Sequence, residues 1–126
     1  MTLIPHSKPS LGQEELRAVT EVLRSGQITA GPMVAQFERG IAAYIGLHGG
    51  VAVSSGTVAL ELALRALGVG HGDNVILPSY VCSAPWLAVQ RVGAQARLVD
   101  INPTTYNLDP QKVRKARTSR TRAVIV

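Results

Sequence analysis

The stretch VAVSSGTVALELALRALGVG, Val51 to Gly70, decides how the rest of the chain reads. Val51 to Val53 is a short apolar run that predicts a strand, Ser54-Ser55-Gly56-Thr57 is a turn of small residues, and a helix opens at that turn. The first N–H groups of a helix have no partner within it, and the positive end of the helix dipole lies there, so the turn suits a dianionic phosphate. Gly56 permits close backbone approach, and the hydroxyls of Ser54, Ser55 and Thr57 can donate further bonds. The plain alternative is a helix cap, since Ser and Thr are preferred N-caps. Local sequence leaves both readings open.

Beyond the turn, Glu61 and Arg65 lie four apart and continue a polar stripe from Thr57, while Leu60, Leu62, Leu64 and Leu67 cover the rest. This predicts a mostly buried helix with one wet edge. The cluster Gly68-Val69-Gly70-His71-Gly72 approaches a dinucleotide fingerprint, but it follows a helix and feeds a strand, the reverse of what that motif requires, and reads as a turn.

Upstream, Ser10-Leu11-Gly12-Gln13 fits a capping box, and Leu16, Val19 and Leu23 recur at helical spacing as far as Ser25-Gly26. Gln27 to Pro32 is a loop. A second helix is expected from Met33 to about Ile45, burying Val34, Phe37, Ile41 and Tyr44. Downstream, strands are expected at Val75 to Leu77, Arg97 to Val99 and Ala123 to Val126. A helix is expected over Ser83 to Arg91 with Pro85 in its first turn, and another from Asp109-Pro110. Short apolar strands alternating with helices predict an α/β fold with a mostly parallel sheet flanked by helices. Sites in such sheets lie beyond the strand carboxyl ends, which groups Ser54 to Thr57, Pro78 to Cys82 and Asp100 to Asn102 on one edge. The chain stops on Ala-Val-Ile-Val without a cap or turn, so it reads as truncated.

Composition narrows the function. With 126 residues and 46% hydrophobic content one compact domain is expected, and with 4% aromatic residues Ala, Val and Leu must fill it. No apolar run reaches the roughly 18 residues of a membrane span, and MTLIPHSKPS lacks a signal-peptide apolar block, so a cytoplasmic protein is expected. The lone Cys82 excludes an intramolecular disulfide, and His6, His48 and His71 are scattered, so no metal site is expected. Six of the 13 basic residues fall between Lys112 and Arg122, while the other seven face all eight acidic residues. The net charge of +5 is therefore one local run without interleaved aromatics, and nucleic acid is not expected as a partner.

Taken in order, IPHSKPSLGQEELRAVTEVLRSG, ITAGPMVAQFE, AVSSGTVALELALRALGVGHGDNVILPSY and VGAQARLVDINPTTYNLDP resemble the DegT-type sugar aminotransferases, pyridoxal-phosphate enzymes of the aspartate aminotransferase fold (fold type I). The resemblance implies that residues 1–126 are the N-terminal segment and first part of the large domain, with 1–32 an N-terminal helix and substrate-side loop and 33–126 an incomplete α/β sheet. It implies pyridoxal 5'-phosphate as cofactor, with its phosphate held by Gly56 and Thr57 and with Ser55 beside them, which favours the phosphate reading of the turn. It implies a homodimer acting on a sugar nucleotide, namely a nucleotide-linked keto-sugar, with glutamate as amino donor in cell-surface polysaccharide biosynthesis. Thr29 and Gly31 then lie on the substrate side.

One departure stands out. The family places an aromatic residue over the pyridine ring, and Cys82 occupies that position here. Trp86, or Tyr80, could supply the missing face; the alternative for Trp86 is an ordinary core residue, and for Cys82 a small buried hydrophobe. Asp100 reads as structural, receiving N–H groups of the turn NPTTYN. In the family the Asp on the pyridine nitrogen and the Lys that binds the cofactor both lie downstream of a segment equivalent to Ala123 to Val126, so no catalytic residue is expected in this chain and the fragment alone is expected to be inactive. The family fold also pairs the first strand with a later one, which predicts an exposed strand edge and a partly folded or aggregation-prone chain. Two alternatives follow from the same residues: a non-catalytic truncated regulator or dimerisation module, and a related dehydratase with His in place of the Lys.

Overall fold

The structure, a computed structural model, describes residues 4–126. The chain forms two units, Met1–Ala52 and Val53–Val126.

The first unit holds α1 (Gln13–Ser25) and α2 (Pro32–Tyr44). The cap of α1 is Gly12 rather than Ser10: the Glu15 carboxylate accepts the Gly12 N–H at 2.7 Å, so only the acidic half of the expected box forms, two residues later than read. Pro32 opens α2 at a position where its missing N–H costs nothing. The expected buried face of α2 is a correction. Phe37, Ile41 and Tyr44 are exposed, Val34 is half-buried, and Ala42 is the buried residue of this helix. The apolar stripe of α1, Leu16, Val19 and Leu23, is likewise exposed. Helical periodicity identifies an apolar face but not what covers it.

The second unit is built on β1 (Asn74–Pro78), whose five residues are all buried. It pairs in parallel with β2 (Gln95–Val99) on one side and β3 (Thr121–Val124) on the other, giving the order β2-β1-β3. Parallel neighbours require crossovers, and the helices α4 (Ala84–Arg91) and α5 (Pro110–Ala116) provide them. Both starts match the expectation: Pro85 sits in the first turn of α4, and the Asp109 carboxylate caps α5 by accepting the N–H groups of Gln111 and Lys112 at 2.8 and 3.4 Å. Helix α3 (Gly56–Ala66) packs on α4, and Leu64, Val75, Leu77, Ala88, Val89 and Val92 form the core between these helices and the sheet.

Three local devices hold this unit. Glu61 on α3 accepts from Arg65 at 2.9 Å and lies 3.5 Å from Arg91 of α4. Gly68 takes a left-handed φ of 71°, ending α3 and beginning the glycine turn, as expected. The buried Asn74 side chain donates to the Thr118 hydroxyl at 3.0 Å and accepts from Thr121 at 2.8 Å, tying the entry of β3 to β1.

The expected strand at Val51 to Val53 is a second correction. These residues form no ladder, and Val51 is 80% exposed. An isolated extended segment has no neighbour to satisfy its backbone, and no strand among the described residues supplies one.

Candidate functional site

The turn read first as a phosphate site is the N-terminus of α3. Ser55 is the N-cap, with extended backbone, and its Oγ accepts the Val58 N–H at 3.3 Å. The cap reading is therefore realised, but it uses a single N–H group. Among the described residues, the N–H groups of Gly56 and Thr57 and the Thr57 hydroxyl form no hydrogen bond. A Cβ added at Gly56 would meet no atom within 4 Å, and its φ lies outside the left-handed range. Neither conformation nor packing demands glycine there, whereas a ligand approaching the backbone would. Two free N–H groups, a hydroxyl and the dipole of an 11-residue helix match the chemistry of a phosphate ester.

The other two segments of the expected edge meet directly. Ser79 donates its N–H to the Val99 carbonyl at 2.8 Å and its Oγ to Asp100 Oδ1 at 3.2 Å, joining the segments after β1 and β2. No hydrogen bond among the described residues links them to Ser54–Thr57; the connection on that side is the packing of α3 on α4. Cys82 is exposed, just before the α4 cap Ser83, and so is not the small buried hydrophobe that was its alternative. A thiol presents no π face. Trp86, in the first turn of α4, is 45% exposed and offers one, while Tyr80 pairs with Tyr106 at a ring-centroid distance of 6.3 Å.

Asp100 plays a different part from the one read. Asn102 Oδ1 receives the turn N–H groups, from Thr104 at 2.8 Å and Thr105 at 3.2 Å, because its short side chain sits at the turn's first position. Asp100 instead accepts from Ser79 and lies 3.9 Å from Lys112 Nζ. Sequence reasoning missed Ser79 as the joint between the two segments; a Ser directly after a strand-ending Pro was the available signal.

In the first unit, Thr29 and Gly31 line a cleft of about 390 Å³ with Val22, Ile28 and Met33, open between the end of α1 and the start of α2. Among the described residues, no group of three or more His, Cys, Asp or Glu side chains could hold a metal ion, and no helix is long and apolar enough to cross a membrane.

Comparison with known proteins gives this geometry a context. The DegT/DnrJ/EryC1/StrS aminotransferase family matches residues 9–126. The chain is 44% identical over 122 residues to the spore coat polysaccharide biosynthesis protein SpsC of Bacillus subtilis (strain 168), covering 97% of this chain and 31% of that protein. A Streptococcus pneumoniae protein named as a sugar aminotransferase, solved in PLP and PMP forms, superposes with a TM-score of 0.92 at 38% identity, over 96% of this chain and 31% of that one. NtdA of Bacillus subtilis, solved with bound cofactor PMP, superposes with a TM-score of 0.84 at 39% identity, over 90% of this chain and 27% of that one. The chain thus spans about a third of the length of these relatives, and its fold is part of the fold type I architecture.

Proposed function

The chain belongs to the DegT/DnrJ/EryC1/StrS aminotransferase family, in which solved members are found carrying the cofactor as PLP or as PMP, and from that premise we propose that it contributes the phosphate anchor of a sugar aminotransferase. The observation that carries the proposal is the head of α3, where Ser55 closes the cap while, among the described residues, the N–H groups of Gly56 and Thr57 have no partner. These residues would hold the cofactor phosphate by charge-assisted hydrogen bonds and so fix the position of the ring. The cofactor, when bound, supplies the aldehyde and the electron-withdrawing ring that amino transfer draws on. Trp86 would pack against that ring in place of the aromatic that Cys82 lacks. Residues 1–32 would form the substrate side, with Thr29 and Gly31 admitting the sugar nucleotide; their place in an open cleft supports this.

The substrate in this reading is a nucleotide-linked keto-sugar and the donor is glutamate, whose amino group passes to the sugar to leave 2-oxoglutarate. The protein works as a cytoplasmic homodimer, a reading supported by the exposed apolar stripe of α1. The 126 residues alone are not expected to turn over: of their three lysines, Lys8 and Lys115 lie outside the segments joined at the site, and the Lys112 ammonium is engaged there by Asp100 at 3.9 Å and the Ile101 carbonyl at 3.4 Å. Two experiments test this. Pyridoxal phosphate should bind the chain, and borohydride should then label no lysine stoichiometrically at one position; specific labelling of one of the three refutes the reading. A version extended beyond Val126 should release 2-oxoglutarate from glutamate beyond one equivalent per site only when a nucleotide-linked keto-sugar is present.

A further inference from the structure

Tyr106 has a φ of 59°, and among the described residues it is the one non-glycine with positive φ. A bulky side chain rarely occupies that region, and glycine would adopt the same turn without strain. The turn does not depend on the tyrosine: Asn102 organises it, accepting from Thr104 and Thr105 through its side chain and from the Tyr106 N–H through its carbonyl at 2.8 Å. What the left-handed backbone achieves is the placement of a ring. That ring sits 6.3 Å from the Tyr80 ring with a tilt of 46°, within the range of a favourable aromatic pair. Tyr80 belongs to the segment Ser79 to Ser83 between β1 and α4. Ser79 is bonded to Val99 and Asp100, but Tyr80, Val81 and Cys82 form no hydrogen bond among the described residues. The contact between the two rings, both largely exposed, ties Tyr80 to the turn after β2.

We infer that Tyr106 is a positioning residue: its ring, set by a left-handed backbone, holds Tyr80 and through it the placement of Val81 and Cys82 at the head of α4. The inference deepens the cofactor reading and rests on it only in taking Cys82 to face the cofactor ring. A strained turn residue with no partner would be relieved by glycine. A ring that braces another loop would not.

The test is backbone relaxation of Val81 and Cys82 by NMR in the full 126-residue chain, in the unsubstituted form and in Tyr106→Gly, Tyr106→Phe and Tyr80→Ala. Order parameters of about 0.85 are expected for the unsubstituted chain and for Tyr106→Phe, which keeps the ring. They should fall below about 0.6 in Tyr106→Gly and Tyr80→Ala alike. Tyr106→Gly preserves the turn, so a role confined to shaping that turn would leave Val81 and Cys82 unmoved. Rigid values in Tyr106→Gly, or mobile ones in the unsubstituted chain, overturn the inference. Pyridoxal phosphate affinity is measured on the same samples, and a several-fold loss in Tyr106→Gly is expected. If the unsubstituted chain binds no pyridoxal phosphate, the cofactor reading fails, while the relaxation data still decide the role of Tyr106.

Discussion

Replacing Gly56 by Ala separates the two roles of the α3 N-terminus, because it moves stability and ligand binding in opposite directions. Gly56 has no left-handed φ and open space where a Cβ would stand, so alanine enters without strain. In a helix, alanine is favoured over glycine by up to about 1 kcal/mol, less at the first position, so α3 without ligand should gain a few tenths of a kcal/mol. The same methyl group would stand where a phosphate approaches the backbone. Losing one charge-assisted hydrogen bond there costs about 1.5–3 kcal/mol, a tenfold or greater loss of affinity. At a pyridoxal phosphate concentration one hundred times the original Kd, ligand-induced stabilisation should fall from about 2.7 to about 1.4 kcal/mol for a tenfold weaker site. Ser55→Ala gives the contrast: it removes the cap bond to Val58, whose 3.3 Å length places the loss near the low end of the range for caps, about 0.5 kcal/mol. Native-state hydrogen exchange of the α3 amides, with and without pyridoxal phosphate, reads both quantities in one experiment. An unchanged ligand-induced protection in Gly56→Ala would show that the glycine has no part in phosphate binding and would refute the reasoning.

Asn74→Ala deletes two side-chain hydrogen bonds in a buried position and should cost about 1–3 kcal/mol, read as loss of exchange protection across β1 and β3; Thr121→Val should lose part of the same amount and add little to the Asn74 variant. Gly93→Ala combines a φ of 77° with a Cβ only 2.8 Å from His71 Nε2, and should destabilise the turn before β2 by more than about 1 kcal/mol; the His71→Ala background should recover the steric part alone. The Arg65 hydrogen bond, aided by the charges of Arg65 and Arg91, holds the Glu61 carboxyl below its ordinary value of 4.5. A lowered carboxylate stabilises fully above its unfolded value and loses that contribution as pH falls through the folded one, so exchange protection between α3 and α4 should decline below about pH 4.5. Glu61→Gln should flatten that dependence, and an unaltered acid profile would mean the pairing with Arg65 and Arg91 contributes nothing. Limited proteolysis of the chain as a monomer should cut residues 4–52 well before β1, because in a single copy the apolar faces of α1 and α2 are exposed while β1 is wholly buried.

The parallel sheet and its two crossovers, β1–α4–β2–α5–β3, were legible because their signals are local: an apolar run ended by Pro78, Pro85 placed within the first turn of α4, and Asp109-Pro110 opening α5. What depends on distant partners was not. Val51 to Val53 has the composition of a strand, but a strand exists only where another backbone completes its ladder. Phe37, Ile41 and Tyr44 mark the apolar face of α2 correctly, yet periodicity carries no information about its cover. The Asn74–Thr118–Thr121 network and the Tyr80–Tyr106 pair join residues more than twenty positions apart, beyond any local pattern. Asp100 and Asn102 are not distinguishable in sequence for a subtler reason: both are short acceptors beside the same turn, and only the geometry shows which side chain reaches its N–H groups.

The α3 turn was ambiguous in sequence because the residues that cap a helix are also those that bind phosphate. A helix start offers several unpaired N–H groups, and one hydroxyl acceptor satisfies only one of them. Ser55 takes the N–H of Val58, one turn into the helix, and the N–H groups of Gly56 and Thr57 stay without a partner among the described residues, as the first N–H groups of a helix do. In the proposed site capping would therefore not compete with anion binding; it would hold the first turn in which the anion is received. Under that proposal the two readings become a sequence of dependence in which Ser55 fixes the geometry and Gly56 and Thr57 would use it. Ser55→Ala should consequently weaken phosphate binding only as far as it loosens the first turn, whereas Gly56→Ala weakens it with that turn intact.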